Sequence, residues 1–163
     1  MPFLDLPTGA CVYYERKGKG PPLVLIMGTG LDCSCWRHQI DAYCQYFECI
    51  SFDNRGTGKT TGNQTPLSVS LMAADAAALI RNLNLGPAHI SGLSLGSCIA
   101  QELTLNHPEL VTTLQLHGTW GRAYGYAKRK FRAQIRLLEK LDLRAFYEIN
   151  ILWFMTPKYM KLY

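Results

Sequence analysis

The sequence predicts an α/β fold built on a mostly parallel, doubly wound sheet. Short apolar runs rich in β-formers recur along the first 120 residues. Stretches with helical spacing separate most of them, the pattern of βαβ units around a sheet buried on both faces. The exception is the turn RKGKGPP (16–22) between the first two runs. It is too short for a crossover and predicts an initial antiparallel hairpin.

The expected strands are CVYYE (11–15), LVLIM (23–27), CISFD (49–53), AHISGL (88–93) and VTTLQLH (111–117). CWRHQIDAYCQYF (35–47) places Trp36, Ile40, Tyr43 and Phe47 on one helical face. SVSLMAADAAALIRNLNL (68–85) turns Leu71, Ala74, Ala78 and Leu79 inward and is expected to stop at Gly86-Pro87. LGSCIAQELTLNHPEL (95–110) runs as a helix until Pro108 forces its predecessor out of helical geometry. After Gly118 two or three helices and no strand are expected. There Phe131, Ile135, Leu138 and Leu141 form an apolar stripe, and Lys128, Arg132, Arg136 and Lys140 a basic one. The chain thus divides into a core, 1–120, and a helical segment, 121–163.

Composition narrows the class. With 48% apolar and 18% charged residues the chain is globular rather than disordered. No apolar run approaches the roughly 20 residues of a membrane span. MPFLDLPTGA lacks a basic and then apolar leader, so a cytoplasmic location with reduced thiols is expected for the six cysteines. Their only close pair is C-x-C in DCSCW, which offers no zinc spacing; neither a metal nor a cofactor is expected. Charge is uneven: residues 1–121 hold seven Lys/Arg against nine Asp/Glu, and residues 122–163 ten against three. The basic face at 128–140 is read as solvated; no nucleic-acid signature accompanies it.

GLSLG (92–96) fits G-x-S-x-G between an expected strand and an expected helix. A turn that tight strains the serine, and the residues two before and two after it must be very small. Gly92 and Gly96 meet this need, and Ser94 is the candidate nucleophile at the carboxyl edge of the sheet. Acyl transfer needs two N–H donors for the oxyanion. The backbone of Leu95 is expected to supply one and that of Thr29 the other, with Gly28 and Gly30 beside the substrate.

Two near-misses are set aside. GTGKTT lacks the first glycine of a phosphate loop, since position 53 is Asp53, and no helix follows directly. Gly28-Thr29-Gly30 lacks the third glycine of a dinucleotide fingerprint, since position 33 is Cys33.

In order and spacing, IMGTG, FDNRGTGKT and GLSLGSCIAQELTLNHPELV resemble the α/β-hydrolase fold, above all its esterase- and lactonase-like members. Many members have His-Gly where this chain has Met27-Gly28, and Thr60 stands where the D-x-R-G-x-G-x-S loop ends in serine. The resemblance implies that the loop is structural and that Ser94 forms an acyl-enzyme with a carboxylic ester or lactone. It further implies a triad acid and a histidine after later strands. Neither strand is found, so the chain is expected to stop inside or just after a helical cap, its C-terminal strands missing and its base beyond Tyr163. After Ser94 the histidines are His107 and His117, and His117 is the local candidate for a base. A crippled serine hydrolase is therefore expected. The alternative is a non-catalytic truncated isoform or pseudoenzyme that binds a ligand or partner. The strand at 111–117 becomes an exposed edge, so self-association is expected.

Overall fold

The computed structural model describes residues 2–62, 66–122 and 124–161. The chain falls into two units, Met1–Gly121 and Arg122–Tyr163.

The first unit is built on one sheet. Its strands are β1 (Phe3–Asp5), β2 (Ala10–Lys17), β3 (Pro22–Ile26), β4 (Glu48–Phe52), the short β5 (Thr61–Gly62), β6 (Ala88–Leu93) and β7 (Val111–His117). The order across the sheet is β1-β2-β4-β3-β6-β7, with β5 pairing β2. From β4 to β7 the neighbours are parallel, with Ile26 opposite Phe52 on one side and Gly92 on the other.

The antiparallel start is present, but across a different turn. β1 pairs β2 with Phe3 opposite Tyr13, closed by the turn Leu6–Gly9. The chain passing through RKGKGPP does not make a hairpin, because β4 lies between β2 and β3 and pairs β2 antiparallel, Tyr14 opposite Phe52. A short link can span a vacant strand position, which β4 fills after its own helix.

Alternation along β3 feeds two layers. Val24 and Ile26 join a cluster with Ile50, Phe52, Ile80, Ile90, Ile99 and Leu103. Leu23 and Leu25 join Trp36 and Ile40 on the other face. Three helices supply these layers: α1 (Arg37–Tyr43), α2 (Val69–Asn82) and α3 (Leu95–Asn106). On α1, Trp36 at the N-cap and Ile40 are buried, whereas Tyr43 is exposed and Phe47 lies past the helix end. On α2 the buried face is Met72, Ala73, Ala76, Leu79 and Ile80 rather than Leu71, Ala74 and Ala78, which are half-buried. Small alanines on every side blurred that stripe in the sequence.

Ser68 caps α2 by accepting from Leu71 N at 3.1 Å. The helix stops earlier than Gly86. Asn84 takes φ +52°, donates to Arg81 O, and lets Leu85 N reach Ile80 O at 3.2 Å. This is a left-handed terminator built on asparagine instead of glycine. α3 ends at Asn106, before His107-Pro108, as the proline requires.

The second unit holds α4 (Gly125–Lys140), α5 (Leu143–Phe154) and α6 (Pro157–Met160), and no strand among the described residues. Asp142 caps α5 through Ala145 N at 2.9 Å. Gln134 of α4 donates to the buried Asn150 Oδ1 of α5 at 2.5 Å. Phe131, Ile135 and Leu138 stay largely exposed.

Candidate active site

Ser94 sits between β6 and α3 with φ +54° and ψ −119°. Among the described residues only Asn84 shares a positive φ without being glycine. A side chain held in that region costs about 1–3 kcal/mol and persists only where the surroundings impose it.

The surroundings impose it through two glycines. A Cβ on Gly92 would stand 2.3 Å from Gly96 O and 2.7 Å from Ser97 Cα. A Cβ on Gly96 would stand 2.1 Å from Ile26 O and 2.7 Å from Met27 O. The start of α3 is thus pressed against the end of β3 with no room for one methyl. Ser97, fully buried, donates its hydroxyl to Ser94 O at 2.5 Å, and its N–H reaches the same oxygen at 2.9 Å. Ser94 N donates in turn to His117 O on β7 at 2.9 Å.

Beside the elbow runs the other turn. β3 and β6 are parallel neighbours, so Gly28-Thr29-Gly30 and Ser94-Leu95 leave the sheet at the same edge. A Cβ on Gly28 would lie 3.1 Å from Ser94 Cβ and 3.7 Å from its Oγ. Gly28 is therefore packed against the serine, and Gly30 turns the chain away with φ +72°. Thr29 is exposed and Leu95 half-buried. Leu95 opens α3, so its N–H has no acceptor within the helix.

Among the described residues each histidine ring pairs elsewhere than with the Ser94 hydroxyl. The His117 ring pairs with Ser91 Oγ at 3.1 Å. His89 pairs with Thr113 Oγ1 at 2.8 Å, His107 with Arg81 at 3.2 Å, and His38 accepts from Arg37 at 3.3 Å. Among the described residues no hydrogen bond joins a histidine to the Ser94 side chain.

The loop after β4 is a polar clasp. Asp53 accepts from Cys33 N at 2.8 Å and Lys59 N at 2.7 Å. Gly58 sits there at φ +54°, and a Cβ on it would fall 2.0 Å from Asp53 Oδ2. Lys59 lies 4.2 Å from the centre of the Tyr13 ring, which absorbs the lysine that suggested a phosphate loop. Arg55 binds Asp75 through Nε at 2.9 Å and Nη2 at 2.8 Å, and Thr8 Oγ1 donates to the same carboxylate. That pairing raises the arginine's already high pKa. Sequence reading missed Asp75, although a lone charge in AADAAA was a usable signal. It also missed Asn54, whose side chain donates to Met27 O at 2.8 Å. Nothing in the sequence marks that bond.

A strained serine on a glycine-lined strand-to-helix turn, at the carboxyl edge of a parallel sheet, is the local geometry of the α/β-hydrolase class of fold. The family model described as "alpha/beta hydrolase fold" matches residues 21–145, and the chain belongs to that family. It is 32% identical over 151 residues to the protein named "Putative carbamate hydrolase RutD" of Azorhizobium caulinodans, covering 93% of this chain and 57% of that one. The chain therefore spans somewhat over half the length of this relative. Among solved structures it is similar to an esterase, EaEST, from Exiguobacterium antarcticum, with 28% identity, a TM-score of 0.80, and 90% of this chain and 58% of that one covered. It is also similar to Est816, described as an N-acyl homoserine lactone degrading enzyme, with 29% identity, a TM-score of 0.67, and 71% and 44% covered.

Proposed function

We propose that the first unit carries the nucleophile and the oxyanion donors of a serine hydrolase for carboxylic esters or lactones. The second unit is the start of its helical cap. The observation that carries this reading is the backbone of Ser94, strained at φ +54° and enforced by Gly92 and Gly96.

In this reading Ser94 Oγ bonds the carbonyl carbon of the substrate while a base takes the hydroxyl proton. The carbonyl oxygen becomes an oxyanion facing the N–H groups of Thr29 and Leu95, and the N-terminal end of α3 favours that charge. Collapse expels the alcohol; in a lactone it stays tethered to the acyl group. Water then releases the acid from the serine. The esterase and the lactone-degrading neighbour support the substrate class.

The described histidines leave the serine without a base. Activation of a serine requires a histidine within hydrogen-bond reach, and His117 is occupied by Ser91. The 163-residue chain is accordingly crippled, with acylation far slower than a full triad gives. This same arrangement favours a second reading, a non-catalytic protein that binds a ligand or partner. Incubation with p-nitrophenyl acetate, followed by mass spectrometry of the intact chain, separates the two. Slow acetylation of wild type, absent from Ser94→Ala, supports the hydrolase. Equal labelling of both proteins, or none, leaves the binding role.

A further inference from the structure

We infer that Asn54 is a positioning residue for the Gly28-Thr29-Gly30 turn, acting on the proposed oxyanion donor through the Met27 carbonyl. The inference rests on the reading of Ser94 and Thr29 just given.

β3 and β4 are parallel neighbours with Ile26 opposite Phe52, so Asn54 lies level with Gly28 one strand away. Its Nδ2 donates to Met27 O at 2.8 Å, and both residues are buried, 3% and 2% exposed. The Met27 carbonyl and the Gly28 N–H belong to one peptide plane, so fixing the oxygen fixes how the chain enters the turn. The turn begins and ends in glycine. A Cβ on Gly28 would crowd Ser94 Cβ at 3.1 Å, and Gly30 occupies the left-handed region at φ +72°. Asn54 thus fixes, from the neighbouring strand, the entry to a turn bounded by two conformationally free glycines.

Asn54 is itself held. Its carbonyl accepts from Thr57 N at 3.0 Å and from Thr57 Oγ1 at 2.8 Å. The flanking Asp53 and Arg55 are locked in the clasp already described. Its Oδ1, in contrast, is buried with no partner among the described residues.

The test is capture of Ser94 by a p-nitrophenyl alkylphosphonate and by its thiono analogue. Ser94 Oγ bonds phosphorus, the bond to the aryl oxygen breaks, p-nitrophenolate leaves, and the hydroxyl proton passes to buffer. The P=O oxygen uses the oxyanion donors; the P=S sulfur, a poor acceptor, uses them weakly. Wild type, Asn54→Leu, Asn54→Asp and Ser94→Ala are compared, with circular dichroism to establish folding. The expected result is capture of wild type and none of Ser94→Ala. Both Asn54 variants should react with the P=O reagent about tenfold more slowly or worse, and lose preference for it over P=S by a similar factor. Asn54→Asp should recover relative to wild type as pH falls, because a protonated carboxyl can donate to Met27 O. Should Asn54→Leu fail to fold, Asn54→Asp carries the comparison. Equal slowing of both reagents, or wild-type rates in the Asn54 variants, overturns the inference while leaving Ser94 in place. Wild type that reacts no faster than Ser94→Ala overturns the Ser94 reading, and this inference with it.

Discussion

The backbone N–H of Ser94 donates to the carbonyl oxygen of His117 across 2.9 Å. The final residue of β7 therefore holds the residue at which β6 becomes α3. The same histidine's ring, which the sequence offered as a base, faces back along the sheet to Ser91. His117 supports the elbow with its backbone, and its side chain is committed elsewhere.

Gly92→Ala and Gly96→Ala should each destabilise the chain by about 3 kcal/mol, because the added methyl meets backbone that cannot retreat. Urea unfolding followed by circular dichroism measures this. Gly121→Ala is the control, since nothing lies within 4 Å of its Cβ position. It should fall within about 0.5 kcal/mol of wild type. Equal behaviour of all three would refute the packing described for the elbow.

The Arg55–Asp75 pair is buried, its side chains 4% and 3% exposed. Removing one partner strands a charge, so Asp75→Leu alone should cost about 3–5 kcal/mol. The double change Arg55→Met with Asp75→Leu should cost clearly less than the sum of the single changes. A double-mutant cycle in urea gives the coupling; strict additivity would show that the pair contributes nothing as a unit.

Alkaline pH should weaken the fold through two thiols. Burial, the largest cause, pushes Cys49 from the ordinary 9.0 up to about 11. Burial first and then the Asp53 carboxylate raise Cys33 as well. The folded chain keeps protons that the unfolded chain releases above pH 9, so stability from these thiols is complete below pH 9. For Cys49 it is lost as pH rises from 9 towards 11. Urea midpoints measured across that range should fall, and Cys49→Ala should flatten the slope. Iodoacetamide at mildly alkaline pH should spare both thiols in the folded chain and modify them in urea. Rapid alkylation of Cys33 in the native state would contradict this.

β7 closes one side of the described sheet, and its outer edge pairs with no strand among the described residues. Thr112, Thr113 and Gln115 on it are exposed. The 163-residue chain is therefore expected to self-associate through this edge as concentration rises. Light scattering should give a mass above the monomer, and Thr112→Lys with Gln115→Lys should lower it. A monomer at every concentration would sink the expectation.

The sequence by itself determined the class of fold, the identity of the strained serine and the two glycines around it. Those features follow from local rules: period, propensity, and the steric demand of one tight turn. AHISGL and VTTLQLH became β6 and β7 over the same residues because apolar β-formers bounded by turns leave little choice. Tertiary structure decided what depends on which strand lies beside which. The hairpin moved from RKGKGPP to Leu6–Gly9 because β4 took the place between β2 and β3. The inward face of α2 kept Leu79 but turned Met72, Ala73 and Ala76 inward in place of Leu71, Ala74 and Ala78, because packing within the core cluster that α3 shares, and not alanine content, chose it. Asn84 ended that helix because its own left-handed backbone closed the last carbonyls before Gly86 was reached. The roles of Asp75, Asn54 and His117 stayed hidden for the same reason. Each is set by a partner 20 or more residues away in sequence, and pairing at that range is fixed by the fold alone.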